Sequence, residues 1–331
     1  IGAGELLEIP RAEHERMKKG RLAIGAATAV AAAGALFFTA RTARKAEALV
    51  PRDGRMVEVD GQQLHVAEEG AGPPLLLIHG LGGQMRNFGR DLIDDLARDY
   101  RVIRVDRPGS GYSPRAAGTP ADLRTQARLM AGLIDELRLE KPWLVGHSLG
   151  GALALTIAVL HPDKVGGLLL IAPASQPVTE VSKAFKGLMV PPRMRGMIAH
   201  SIAVPMSILA SRAVMAEVFK PEPVPEDFAI AGGGALGMRP SAFIGASADL
   251  AEAGTDMSDV VAGYADLTLP THILFARGDA LLDHRDHGER TAREIPGARL
   301  TLVEGGHMLP FTQGRETAQW IRQSIEAGAN G

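Results

Sequence analysis

The sequence predicts an α/β fold, a mostly parallel central sheet with helices on both faces and a helical cap inserted after the sixth strand. Three observations carry this. Short apolar runs of the buried-strand type alternate with helix-length stretches. One interval, from about Ala172 to Thr271, is far longer than a crossover needs. The segment Gly146-His147-Ser148-Leu149-Gly150 sits directly between such a strand and a helix. With 331 residues and 46% apolar content, the chain can bury a large core.

Composition narrows the function. The 36 basic and 38 acidic residues leave a formal charge of -2, and the basic ones form no stripe, so nucleic acid is not an expected partner. Cysteine is absent, which removes disulfides, thiolate metal sites and cysteine nucleophiles together. The chain opens on Ile, so its first position need not be the native start.

In chain order, residues 1–21 form a mixed-charge polar segment. Residues 22–40 are an uncharged run rich in Ala and Gly, closed by Lys18, Lys19 and Arg21 before it and Arg41, Arg44 and Lys45 after it. As a helix this run extends about 28 Å, close to the roughly 30 Å of a bilayer's hydrocarbon core. A single membrane span is the leading reading, with a cleaved signal peptide and a buried Ala-rich helix as alternatives. Basic residues flank both ends, so charge bias chooses weakly between orientations; we place the globular part outside the cytoplasm, periplasmic for a bacterial inner membrane. Gly25, Ala29 and Ala33 recur every four positions and could pair two such helices into a homodimer, although general Ala/Gly richness explains them as well. Residues 41–55, containing Pro51 and Gly54, read as a linker.

The globular part then follows, a core of residues 56–175 and 266–331 interrupted by a cap of residues 176–265. Segments 56–60 and 63–68 flank Asp60-Gly61, a hairpin turn. Apolar strand runs follow at 75–78, 101–105, 143–145, 167–171, 272–275 and 299–303, with helix-length stretches between most of them. In such a sheet ligands bind beyond the carboxyl ends of the strands.

The chemistry concentrates at those ends. G-x-S-x-G between strand and helix is a nucleophile elbow, in which a tight turn exposes the Ser148 hydroxyl. That hydroxyl is a weak nucleophile until a base removes its proton. Of ten histidines, His307 is the candidate, because it follows the last strand through Gly305-Gly306. His79 and His147 read as structural. The base needs a carboxylate to fix its tautomer. Asp279, after the 272–275 strand, is the candidate and Asp283 its rival. Two backbone N–H groups should stabilise the oxyanion, from Leu149 and from Leu81 in the loop His79-Gly80-Leu81-Gly82-Gly83.

These residues, with Asp106-Arg107-Pro108-Gly109-Ser110-Gly111-Tyr112-Ser113, resemble the α/β-hydrolase family from about Met56 to the carboxyl terminus, the cap excepted. The resemblance implies an α/β-hydrolase fold, a serine hydrolase activity with the order Ser148, Asp279, His307, and no cofactor or metal. It gives the Asp106 segment a structural role. Ala276 departs from the family's usual glycine, and serine at the elbow argues against the members that use an aspartate nucleophile. Esterases, lipases, phospholipases A and lysophospholipases, thioesterases, carbon–carbon hydrolases and cofactor-free peroxidases share the fold, which does not choose among them. An apolar cap carrying Met189, Met194, Met197, Met206 and Met215 suits an acyl chain, with ordinary helix packing as the alternative. Next to a membrane span it points to an anchored esterase or lipase acting on acyl-ester or lipid substrates. A non-enzymatic binding module fits poorly, because no member of the triad is missing.

Overall fold

The computed structural model describes residues 11–178 and 180–329, with the side chains of residues 11–17, 19–28, 31 and 329 outside that description. Residues 1–10 of the polar segment 1–21 therefore lie outside it.

All eight expected strands form: β1 (Arg55–Val59), β2 (Gln62–Glu69), β3 (Pro74–Ile78), β4 (Arg101–Val105), β5 (Trp143–His147), β6 (Gly167–Ile171), β7 (Thr271–Ala276) and β8 (Arg299–Val303). They make one sheet in the order β1-β2-β4-β3-β5-β6-β7-β8. β1 and β2 pair antiparallel with Val59 opposite Gln62, and β2 joins β4 antiparallel; every later pairing is parallel. Asp60 and Gly61 both have positive φ, 49° and 74°, which gives the hairpin the twist its strands need.

Alternation along the strands divides the core in two. Leu76, Ile78, Leu144, Leu168, Leu170, Ile273 and Phe275 face one side, beneath α3 (Leu123–Glu136) and α4 (Leu149–Leu160), which is apolar apart from Thr156. Leu75, Leu77, Val145, Leu169, Ile171 and Leu274 face the other, beneath α2 (Arg90–Leu96) and α11 (Gly314–Ala329). Burial on both faces is why these runs are continuously apolar rather than alternating.

The cap contains α5 (Pro192–Ile198), a π-helical turn at Ala199–Ala203, α6 (Val204–Phe219) and α7 (Pro240–Glu252). The first three form a continuous path, Pro192–Phe219, long and apolar enough by length and composition to cross a membrane, although only 22% of its most apolar window is buried. The cap ends earlier than the expected residue 265. Met257 and Val260 of α8 (Met257–Ala262), with Tyr264, are buried in the sheet's own core, because their apolar face meets α4 rather than cap helices. Beyond β7 come the one-turn α9 (Thr291–Glu294) and, after β8, α10 (Leu309–Thr312).

Helix α1 (Arg11–Leu49) includes the whole apolar run and continues past it, so the expected linker 41–55 is helical as far as Leu49. Tertiary contacts explain the extension. Ala46 and Val50 are buried, Glu47 pairs with Arg239 of the cap at 3.3 Å, and Tyr112 donates to the Val50 carbonyl at 2.6 Å. The helix packs on the π-helical turn, on α6 and on Gly234–Met238. Ahead of this contact, Val30, Leu36, Phe37 and Phe38 are exposed.

Candidate active site

β5 runs straight into α4, and Ser148 is the single residue between them, with φ 54° and ψ -119°. Holding a non-glycine residue there costs roughly 1–3 kcal/mol, a strain typical of functional positions. Its neighbours make the turn feasible: a Cβ on Gly146 would stand 2.5 Å from the Gly150 carbonyl oxygen, and one on Gly150 only 1.9 Å from that of Ile78. The serine's own amide donates to Ile171 O at 3.0 Å. Its hydroxyl does not cap α4; the Gly151 and Ala152 amides donate to the Ser148 carbonyl at 2.9 and 3.3 Å, and the Leu149 amide is left without an intrahelical partner.

His307 lies just beyond β8 and Asp279 just beyond β7, so the parallel pairing of these strands brings residues 28 apart in sequence into contact. His307 Nδ1 is 2.7 Å from Asp279 Oδ2. The other carboxylate oxygen accepts from the amides of Leu281 and Leu282, at 2.8 and 3.0 Å. Burial disfavours the charged carboxylate, but the charge of His307, its hydrogen bond and the two amides outweigh this and hold Asp279 below the ordinary carboxylate range. Asp283, the rival, does not reach the imidazole; its Oδ1 accepts from the Arg285 amide at 2.9 Å and caps the turn that follows.

Two further histidines buttress the site. His147 places Nε2 2.9 Å from the His307 carbonyl oxygen, and the two rings lie 4.8 Å apart. Burial, and then the neighbouring His307, lower its pKa to about 3, so it is neutral and donates to that carbonyl. His79 ends β3. Its Nε2 accepts from the Arg107 amide at 3.0 Å, so Nδ1 carries the proton and donates to Gly80 O at 2.9 Å. Burial, then the charge of Arg107, lower its pKa to about 3 as well.

The loop carrying Leu81 presses on the elbow: a Cβ on Gly80 would meet Ser148 Cβ at 2.9 Å and Oγ at 3.3 Å. The chain thus brings Ser148, Leu149 and the 79–83 loop together, and separately joins Asp279 to His307, with His147 linking the two groups. Among the described residues the Ser148 hydroxyl has no hydrogen-bond partner, so the serine-to-imidazole contact is open here, as catalytic contacts often are before substrate binds. No group of described residues has the makeup of a metal site.

The methionines divide differently from expectation. Met189, Met194, Met197 and Met206 are 42% to 63% exposed. Met215 alone packs inward, with Phe219, Phe228, Phe311 and Met308, the residue after His307. The apolar pattern of Pro192–Phe219 runs round the helix, so sequence could not say which face turned inward. Also unseen in the sequence were Arg107 and Asp249, a fully buried pair at 2.8 Å between the loop after β4 and α7. The signals in the sequence were Arg107's place in the Asp106–Ser113 segment and Asp249 inside a largely apolar helical stretch, with nothing to pair them.

An elbow serine at the carboxyl edge of an eight-stranded, mostly parallel sheet, with an imidazole–carboxylate pair on the neighbouring strand ends, defines a hydrolase of the α/β type. The family model described as alpha/beta hydrolase fold matches residues 73–313, and the chain belongs to this family. The 2-hydroxymuconate semialdehyde hydrolase of Pseudomonas sp. (strain CF600) is 37% identical over 134 residues, 39% of this chain and 47% of that one, so the chain spans about half the length of this relative. The RutD protein of Pseudomonas savastanoi pv. phaseolicola, provisionally named a carbamate hydrolase, is 30% identical over 263 residues, covering 76% of this chain and 92% of that one. Among solved structures, a membrane phospholipase A superposes with TM-score 0.67 at 24% identity, covering all of that chain and 95% of this one, a share that takes in most of α1.

Proposed function

We propose that this hydrolase is a membrane-tethered serine esterase that cleaves acyl esters of lipids, phospholipase A or lysophospholipase substrates among them. The observation that carries the esterase reading is the strained Ser148 at the carboxyl edge beside the buried His307–Asp279 pair. Ser148 Oγ adds to the acyl carbonyl carbon while its proton passes to His307 Nε2. The carbonyl π electrons move to oxygen, where the amides of Leu81 and Leu149 receive the charge. Collapse of this intermediate expels the alcohol, protonated by the imidazolium, and leaves an acyl-serine. Water, deprotonated by His307, then releases the acid. Asp279 holds the imidazole in the Nδ1–H tautomer throughout.

The lipid reading is supported by apolar surface. Phe37 and Phe38 of α1 and Ile202, Met206 and Leu209 of the cap are all exposed, on elements packed against one another. The likeness to a membrane phospholipase A across α1 adds to it. A second reading, carbon–carbon bond hydrolysis, is favoured by the 37% identity to 2-hydroxymuconate semialdehyde hydrolase.

An ester panel graded by acyl length and including phospholipids, with Ser148→Ala as blank, tests the activity. Cleavage that rises with chain length supports the lipid esterase, whereas inert esters alongside turnover of 2-hydroxymuconate semialdehyde would replace it. For the tether, full-length protein should stay in the membrane fraction through high-salt and carbonate washes, and protein lacking residues 22–40 should be released.

A further inference from the structure

Among the described residues Arg107 is the largest fully buried side chain, although the sequence motif that contains it carries no reacting group. Its guanidinium donates in three directions. Nε reaches His79 O at 3.0 Å and Nη2 reaches Gly80 O at 2.9 Å; Nη1 reaches Gln126 Oε1 at 2.9 Å and Asp249 Oδ2 at 2.8 Å. Gly80 O also accepts from His79 Nδ1, and from Gly83 N at 3.3 Å. That carbonyl belongs to the same peptide unit as the N–H of Leu81. A trans peptide is planar, so fixing the direction of C=O fixes N–H in the opposite sense. A cation on the carbonyl oxygen also polarises the unit and makes its N–H a better donor.

The second half of the device comes from the cap. Asp249 has no exposure, sits on α7, and pairs both with Arg107 and with Arg115, the latter at 2.5 Å. α7 lies close enough to the loop after β4 that a Cβ on Gly245 would stand 2.0 Å from Gly109 O. A buried guanidinium needs a buried carboxylate. The 79–83 loop is therefore held from the core by a residue whose charge is balanced only when the cap is seated.

We propose that Arg107 is a positioning residue for the oxyanion hole, aiming the Leu81 amide at the oxyanion through the Gly80 carbonyl, and that Asp249 couples this aim to the docking of α7. The inference rests on Ser148 acting as an acyl-transfer nucleophile. A merely structural pair would affect folding; a positioning pair affects the charged transition state while substrate binding holds.

The test compares three full-length variants by kcat, KM, thermal midpoint and affinity for a trifluoromethyl ketone. Addition of Ser148 to that ketone yields a hemiketal oxyanion with the serine proton on His307. Arg107→Lys keeps the charge beside Asp249 but not the fork that spans two carbonyls. Its kcat should fall on the order of 100-fold, with KM within about threefold and ketone affinity falling in step with kcat. Arg115→Gln removes the other cation from Asp249 without touching the 79–83 loop, and its kcat should stay within about twofold. Asp249→Asn should lower kcat by roughly tenfold with the same constant KM, and decides the matter if Arg107→Lys does not fold. Retained kcat in Arg107→Lys or Asp249→Asn overturns the proposal, as does loss in all three variants in proportion to lost stability. If a fluorophosphonate leaves wild-type Ser148 unlabelled, the serine-hydrolase reading fails and this inference falls with it.

Discussion

Among the described residues, two buried imidazole–carboxylate pairs have nearly identical geometry. His307 Nδ1 is 2.7 Å from Asp279 Oδ2, and His65 Nδ1, on β2, is 2.8 Å from Asp106 Oδ2. Both carboxylates also accept backbone amides: Leu281 and Leu282 bind Asp279, and Met85 and Tyr112 bind Asp106 at 2.8 Å each. The difference lies at the far nitrogen. His65 Nε2 is taken by the Asp53 carbonyl, whereas His307 Nε2 has no partner among the described residues and stands on the strand edge shared with Ser148. A base needs a free lone pair facing a proton to remove, so the first pair fastens the loop after β4 and the second is free for chemistry. Distance and burial alone would not tell them apart.

Removing the nucleophile is the largest perturbation. Ser148→Ala should lower kcat on the order of 10⁶-fold, the loss typical when a triad serine is deleted, with an unchanged thermal midpoint. Steady-state hydrolysis with active-site titration measures it.

The two carboxylates should then separate cleanly. Asp279→Asn is expected to cost about 10⁴-fold in kcat through the wrong imidazole tautomer. Asp106→Asn should leave kcat within about tenfold while destabilising the fold by roughly 1–3 kcal/mol, because it strands buried donors. Equal kcat losses in the two variants would show that the His65 pair is part of the machinery.

Acid sharpens the contrast between the neutral histidines and the carboxylates. His79 and His147 have folded pKa values of about 3 against an ordinary 6.5. Below 6.5 the unfolded chain binds protons that the folded one refuses, so stability falls with pH from about 6.5 down to 3. Each group contributes a slope of up to about 1.4 kcal/mol per pH unit. Asp279 and Asp106 are held low, so their contribution persists above the ordinary carboxylate pKa and disappears only as pH drops through their depressed values. Denaturant titrations of wild type and His147→Gln at pH 7, 5 and 4 should show a shallower acid loss in the variant. An identical slope would mean that residue 147 titrates normally in the folded state.

The smallest effect concerns exposed methionines of the cap. Met197→Ser and Met206→Ser are 63% and 57% exposed in the parent, so thermal stability should change by less than about 0.5 kcal/mol. Turnover of a soluble short-chain ester should hold while activity on phospholipid vesicles falls a few-fold. Loss on both substrates alike would put these side chains in contact with the reacting ester instead.

Much of this was legible in the sequence. Strand runs buried on both faces are apolar without a break, and six strands were legible from such runs, while the Asp60-Gly61 turn marked the two strands of the hairpin. The elbow was legible because the steric demand for glycine on either side of Ser148 is local. Asp279 and His307 could be named because topology sends consecutive strand ends to one edge, whichever side chains lie between. Other features left no local trace. The extension of α1 through residues 41–49 depends on Arg239 and Tyr112, distant in the chain, and the inward face of the cap helix depends on which neighbour it meets.

Sequence by itself settled the chain's periodicities, its turn residues and the order of its reactive groups, because each follows from contacts within a few residues. The tertiary structure alone decided which of two His–Asp pairs keeps a free nitrogen, and that Arg107 lies under the Gly80 carbonyl with Asp249 of the cap as its counter-charge. Those outcomes depend on what long-range packing leaves open or closes, and no window of neighbouring residues carries that information.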